Sequence, residues 1–87
     1  MFFIILAKLK RRPTKEDIER IDKYLKELKQ IKVHSIHWTL GRYDTVVFAE
    51  ALDEKAILAF NFNIATVSTE TLVAIPREEA LKAVGLR

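Results

Sequence analysis

Eighty-seven residues with 49% apolar and 31% charged side chains, and only two glycines and two prolines, describe one folding unit (residues 1–87) and exclude a disordered or linker-type chain. Cysteine is absent, which excludes disulfides and thiolate metal sites and leaves stability to burial, in a chain short enough that partners are expected. A formal net charge of +3 is too small to demand nucleic acid.

The opening "MFFIILAKLKRRP" has a short apolar run followed, not preceded, by positive charge, so it reads as a strand over Phe2–Leu9 and not as a targeting segment. Being apolar on both faces, it belongs in the middle of a sheet. No stretch approaches the ~20 apolar residues that cross a bilayer, so a soluble cytoplasmic protein without membrane contact is expected. The basic cluster Lys8, Lys10, Arg11 and Arg12 reads as a solvated strand end, with phosphate or nucleic-acid contact as the lesser alternative. Sparing use of Gly, Asn and Gln beside abundant Lys, Glu and Ile points to a thermophilic source.

After Pro13, Thr14 stands as a helix cap with Asp17 three residues on, ahead of "KEDIERIDKYLKELKQI". Ile18, Ile21, Leu25, Leu28 and Ile31 recur at helical spacing and form one apolar stripe, and opposite charges one turn apart occupy the wet sides. From Lys32 the period changes to two. Ile36, Trp38 and Leu40 point one way, and Val33, Ser35, His37 and Thr39 the other. Past Gly41, "TVVFAEA" is a second strand apolar on both faces. Asp53 caps a second helix with Ala56, Ile57, Phe60 and Ile64 on one side and Leu58 and Phe62 on the other. "TETLVAIP" reads as an edge strand stopped by Pro76, and "REEALKAVGLR" as a short closing helix ending near Gly85.

The order is β-α-β-β-α-β plus a C-terminal helix: an α+β, ferredoxin-like unit with a four-stranded antiparallel sheet. Right-handed crossovers put both helices on one face and the first and third strands in the centre. The other face of those strands is apolar yet uncovered within one chain, so a homodimer or higher homo-oligomer is expected to bury it.

The run "TLGRYD" leading into "TVVFAEA", followed after a helix by "TVSTETLVAI", resembles the GYD-domain family, named for its Gly-x-Tyr-Asp signature. A second motif around Thr69, Glu70 and Thr71 strengthens the resemblance, which extends over nearly the whole chain. It implies a ferredoxin-like unit of the dimeric α/β-barrel type and no particular chemistry. Two loops depart from the family pattern: "KLKRRP" after the first strand, and Ala65-Thr66 where a Gly-Asn pair usually ends the second helix.

Gly41 is read as a structural turn residue, needed for positive φ in a tight hairpin. Tyr43 and Asp44 serve either that hairpin or a ligand. With an even-numbered loop, strand parity places Asp44 on one face with Ser35, His37 and Thr39, and a carboxylate beside the His37 imidazole suits either a packed polar pair or a general base. His34 and His37 differ by an odd number and are assigned to opposite faces, so no metal site is expected, and no cofactor is implied. The candidate ligand-binding set is therefore Ser35, His37, Thr39, Tyr43 and Asp44.

These residues point first to an oligomeric small-molecule binding or sensing domain with a pocket at the sheet face, between the sheet and a partner subunit. A cofactor-independent enzyme acting on a small organic substrate is the alternative, by fold analogy. An RNA-binding module is disfavoured, because the central strands lack a basic-aromatic motif. No Gly-rich phosphate loop or nucleophile elbow is present.

Overall fold

The computed structural model of the protein describes residues 1–64 and 67–87. Its elements are β1 (Phe2–Leu9), α1 (Lys15–Glu27), β2 (Ile31–Trp38), β3 (Thr45–Ala51), α2 (Glu54–Asn63), β4 (Val67–Ala74) and α3 (Arg77–Ala83). The strands form one antiparallel sheet in the order β2-β3-β1-β4, so the two strands that are apolar on both faces are central, in an α+β ferredoxin-like arrangement. The Ala65-Thr66 departure from the family pattern lies outside the described residues.

The face that carries Phe3, Ile5 and Ala7 pairs laterally with Ala49, Val47 and Thr45 and receives Ile57 and Phe60 of α2. Tyr24 of α1 stacks on Phe60, with centroids 6.0 Å apart, and its hydroxyl accepts from Asn63 Nδ2 at 3.2 Å, which sets the two helices side by side over this face. The opposite, open face carries Phe2, Ile4 and Leu6 beside Glu50, Phe48 and Val46, with Leu72 of β4 beyond them. Among the described residues no helix or strand covers it.

α1 begins in a reciprocal capping box: Asp17 N donates to Thr14 Oγ1 at 3.2 Å, and Thr14 N to Asp17 Oδ2 at 2.8 Å. The helix ends at Glu27, and Ile31, assigned above to the helical stripe, instead opens β2 and is buried against the core. A β-bulge between Val33 and Ser35 alters the phase of β2. Val33, opposite Ala49, therefore shares the helix-covered face with Ile36 and Trp38, contrary to simple alternation. The same extra residue brings His34 to the open face, where its ring packs 5.3 Å from Phe48 and 6.1 Å from Phe2 and its Nε2 lies 3.0 Å from Glu50 Oε1. His37, opposite Val46, is on that face too, so the opposite-face assignment of the two histidines is corrected. Strict period-two counting fails wherever a strand carries a supernumerary residue. Even so, no group of three or more metal-ligating side chains forms among the described residues.

α3 closes with a left-handed Gly85 at φ 77°, whose amide donates to Lys82 O while that of Leu86 donates to Leu81 O, the two bonds of a Schellman stop. Among the described residues no helix is long and apolar enough to cross a membrane.

Candidate functional site

Two regions carry the site chemistry, on opposite faces of the sheet. The first is the Gly-x-Tyr-Asp hairpin. Thr39 N donates to Asp44 O at 2.8 Å, closing a four-residue loop over residues 40–43, and Thr39 Oγ1 donates to Tyr43 O at 2.6 Å. Gly41 sits at φ 117°, a conformation that side chains strain to adopt, as its turn role requires.

The two signature side chains reach away from β2 and across β1. Asp44 N donates to Ala7 O at 2.9 Å, and the Asp44 carboxylate accepts Leu9 N at 2.7 Å, replacing the next backbone acceptor of the β1–β3 ladder. The Tyr43 hydroxyl donates to the Glu70 carboxylate on β4, joining the first family motif to the second. This bond, with burial and the negative charge of Glu70 adding to it, raises the Tyr43 pKa above its ordinary value and holds the phenol protonated. A protonated phenol is a donor and not a base. Arg42 lies 5.6 Å over the Tyr43 ring, and its carbonyl accepts from Lys8 Nζ at 3.3 Å.

Loop parity is even, so Ser35 and His37 do belong to the open face, opposite Phe48 and Val46. Asp44, however, commits its carboxylate to β1, on the side of β3 away from His37, and no hydrogen bond joins the two. The five candidate residues thus divide into a hairpin clasp of Thr39, Tyr43 and Asp44, and a separate pair, Ser35 and His37, along β2. Sequence reasoning missed Glu70 as the partner of Tyr43, although it lies inside the second motif.

The second region is an apolar cavity of about 160 Å³ on the helix-covered face, between α1 and the sheet. Its walls include Ile18, Ile21 and Leu25 of α1, Ile5 and Val47 of the sheet, and Trp38 at its rim, which is 60% exposed. Among the residues of α1 Asp17 alone is buried; Leu25 and Leu28 pack half-buried against the core, whereas Ile18 is exposed and Ile21 only half-buried, so the first half of the apolar stripe is not sealed against the sheet. None of the five candidate residues lines this cavity.

One end of the cavity is closed by Asp17. Arg11 forks onto it at 2.6 and 3.0 Å, Arg20 reaches it at 3.1 Å, and Thr14 N adds a fourth bond. The Arg11 bond first, and the Thr14 backbone bond second, hold this carboxyl far below the ordinary carboxylate range. Every oxygen is engaged, so Asp17 is a latch between the loop after β1 and α1. Arg11, counted above in a solvated basic cluster, belongs to that latch. A more open cleft of about 340 Å³ at the start of α2 is lined by Gln30, Leu52, Asp53, Lys55 and Ala56, but Asp53 already accepts the free amides of Lys55 and Ala56.

Neither the curated proteins nor the solved structures contain a match to the chain. The family model for the GYD domain matches residues 5–84, the span that holds both the Tyr43–Glu70 clasp and the cavity, and the chain belongs to the GYD-domain family.

Proposed function

We propose that this chain is a small-molecule binding domain that takes a neutral, apolar ligand about one ring in size between α1 and the sheet, and that it works as a homo-oligomer closed over the open sheet face. The observation that carries the binding reading is the unsealed first half of the α1 stripe above an apolar cavity of about 160 Å³. An apolar cavity of roughly 150 Å³ stays dry and accepts a molecule such as benzene, because water finds no partners there. The pocket differs in place from the sequence-based expectation, which set it between the open face and a partner subunit. The ionisable groups lining it are Arg11, Asp17 and Asp22, and the first two neutralise each other, which favours a neutral guest.

Surface and shape support self-association. The chain exposes 6688 Å², whereas a free-standing protein of 10.1 kDa exposes roughly 5,300 Å². Its radius of gyration is 14.4 Å against about 12 Å for a compact chain of this length. The open face supplies a contiguous apolar surface, led by Phe2, Ile4, Leu6, Val46, Phe48 and Leu72.

Trp38, the sole tryptophan, reports on the rim of the cavity. Titration with toluene should change its fluorescence saturably and raise the melting temperature, while benzoate should do neither. Ile21→Phe, which fills the cavity, should abolish both responses. Responses that never saturate, or that survive Ile21→Phe, would refute the binding reading. Val46→Lys on the open face should weaken self-association at least 100-fold by sedimentation equilibrium, and an unchanged association constant would refute the open-face oligomer.

A further inference from the structure

The sheet has two edges of different character. β2 is blunted by its bulge and by Lys32, two devices that keep a strand from templating another. β4 has neither. It pairs with β1 in an unbroken register over all eight residues from Val67 to Ala74, contains no proline, lysine or arginine, and makes no backbone bond outside that ladder among the described residues. Beside it stands an apolar shoulder. Asn61 of α2 bonds Thr71 on β4 at 2.9 Å, and since α2 runs antiparallel to β4, Leu58, one turn earlier, stands on the side of Val73. Leu58, Phe62 and Val73 are 57%, 78% and 58% exposed.

We propose that β4 is an interaction edge that pairs antiparallel with β4 of a second copy, about a two-fold axis through Thr71, extending the sheet to eight strands. This interface is separate from the open-face contact. The register follows from chemistry. A two-fold axis perpendicular to the sheet keeps both helix layers on one side, so residues opposite one another must share a face. Centring on Glu70 sets two carboxylates opposite each other, which is repulsive. Centring on Thr71 pairs it with the partner's Thr71, sets Glu70 against the partner's Leu72 and Thr69 against the partner's Val73, and keeps seven of the eight residues paired, from Ser68 to Ala74. Threonine pairs and β-branched contacts are favourable across strands. The arrangement also turns Leu58 and Phe62 toward the second copy's α2. A further observation coincides with the axis: Asn61 Oδ1 is buried with no hydrogen-bond partner among the described residues, next to the very hydroxyl that the two-fold duplicates.

Because the chain has no cysteine, single replacements test the register directly. Opposed residues lie about 4.5–5.5 Å apart, within disulfide reach. Under mild oxidation Thr71→Cys should give a covalent dimer, Thr69→Cys and Val73→Cys should each stay monomeric on a non-reducing gel, and a mixture of those two should cross-link. Val73→Lys and Phe62→Glu, both at exposed positions, should each halve the mass of the assembly in native mass spectrometry while leaving the circular dichroism spectrum folded. Absence of the Thr71→Cys dimer, self-linking at Thr69→Cys, or an unchanged mass in both charged variants would overturn the proposal. The open-face contact is tested separately by Val46→Lys, which lies on β3 and outside the β4 edge, so failure of one interface does not imply failure of the other.

Discussion

The Tyr43 hydroxyl donates to the Glu70 carboxylate across β1, so the tyrosine of the signature motif is a strand clasp. Tyr43→Phe should lower the midpoint of chemical unfolding, and in a Glu70→Ala background it should have little further effect, the mark of a single shared interaction. The sign of the pH dependence also follows. A phenol whose pKa is raised by folding contributes stability in full below its unfolded value of about 10, and that contribution fades as pH climbs through the folded value. Absorbance titration of Tyr43 should show late ionisation that Glu70→Gln brings forward.

Asp17 gives the opposite slope. Its carboxyl is depressed in the fold, by Arg11 above all, so its contribution is complete above the ordinary value of 3.8 and is lost as pH falls toward the folded value. Thermal unfolding between pH 2 and 6 should show an acid-side decline in the wild type that Asp17→Asn flattens, with the variant less stable at pH 6.

At Asp44 the side chain substitutes for a backbone acceptor. Asp44→Ala leaves Leu9 N without its 2.7 Å partner and should cost about 1–3 kcal/mol in denaturant unfolding. Asp44→Asn, which retains an oxygen at that place, should cost less. Hydrogen exchange at the Leu9 amide should rise in the alanine variant.

Gly41 is strained for any L residue but uncrowded, since an added Cβ would have no atom within 4 Å. Gly41→Ala and Gly41→Val should therefore both destabilise by about 1–3 kcal/mol, with a small difference between them. A valine penalty far above the alanine penalty, measured by urea unfolding, would point to a steric cause instead.

Local sequence grammar made much of the architecture legible. The cap at Thr14, the helical recurrence of Ile18, Ile21 and Leu25, and the apolar runs of β1 and β3 are short-range signals, and each element formed where its signal lies. The two edges were legible from their polar positions. What escaped depends on contacts distant in sequence. The bulge at Val33/Ser35 arises from pairing with β3, and it reversed the side assigned to Val33 and His34. Ile31 continued the helical spacing, yet β3 claimed it. Of the site, the even hairpin loop and the face of His37 were legible, whereas the turn of Asp44 toward Leu9 was not, because parity fixes a face and not a direction along it. The cavity left no mark in the sequence: the stripe of α1 reads the same whether or not the helix is sealed against the sheet.

The bulge in β2 also sets a limit on growth. A sheet with two open edges can add chains without end, as fibrils do, whereas this one has a single receptive side. Once two copies join through β4, both outer borders of the eight-stranded sheet are the irregular β2, and a third copy meets strands whose spacing it cannot match. One surplus residue, His34, thus ends edge-to-edge addition and holds each continuous sheet to eight strands.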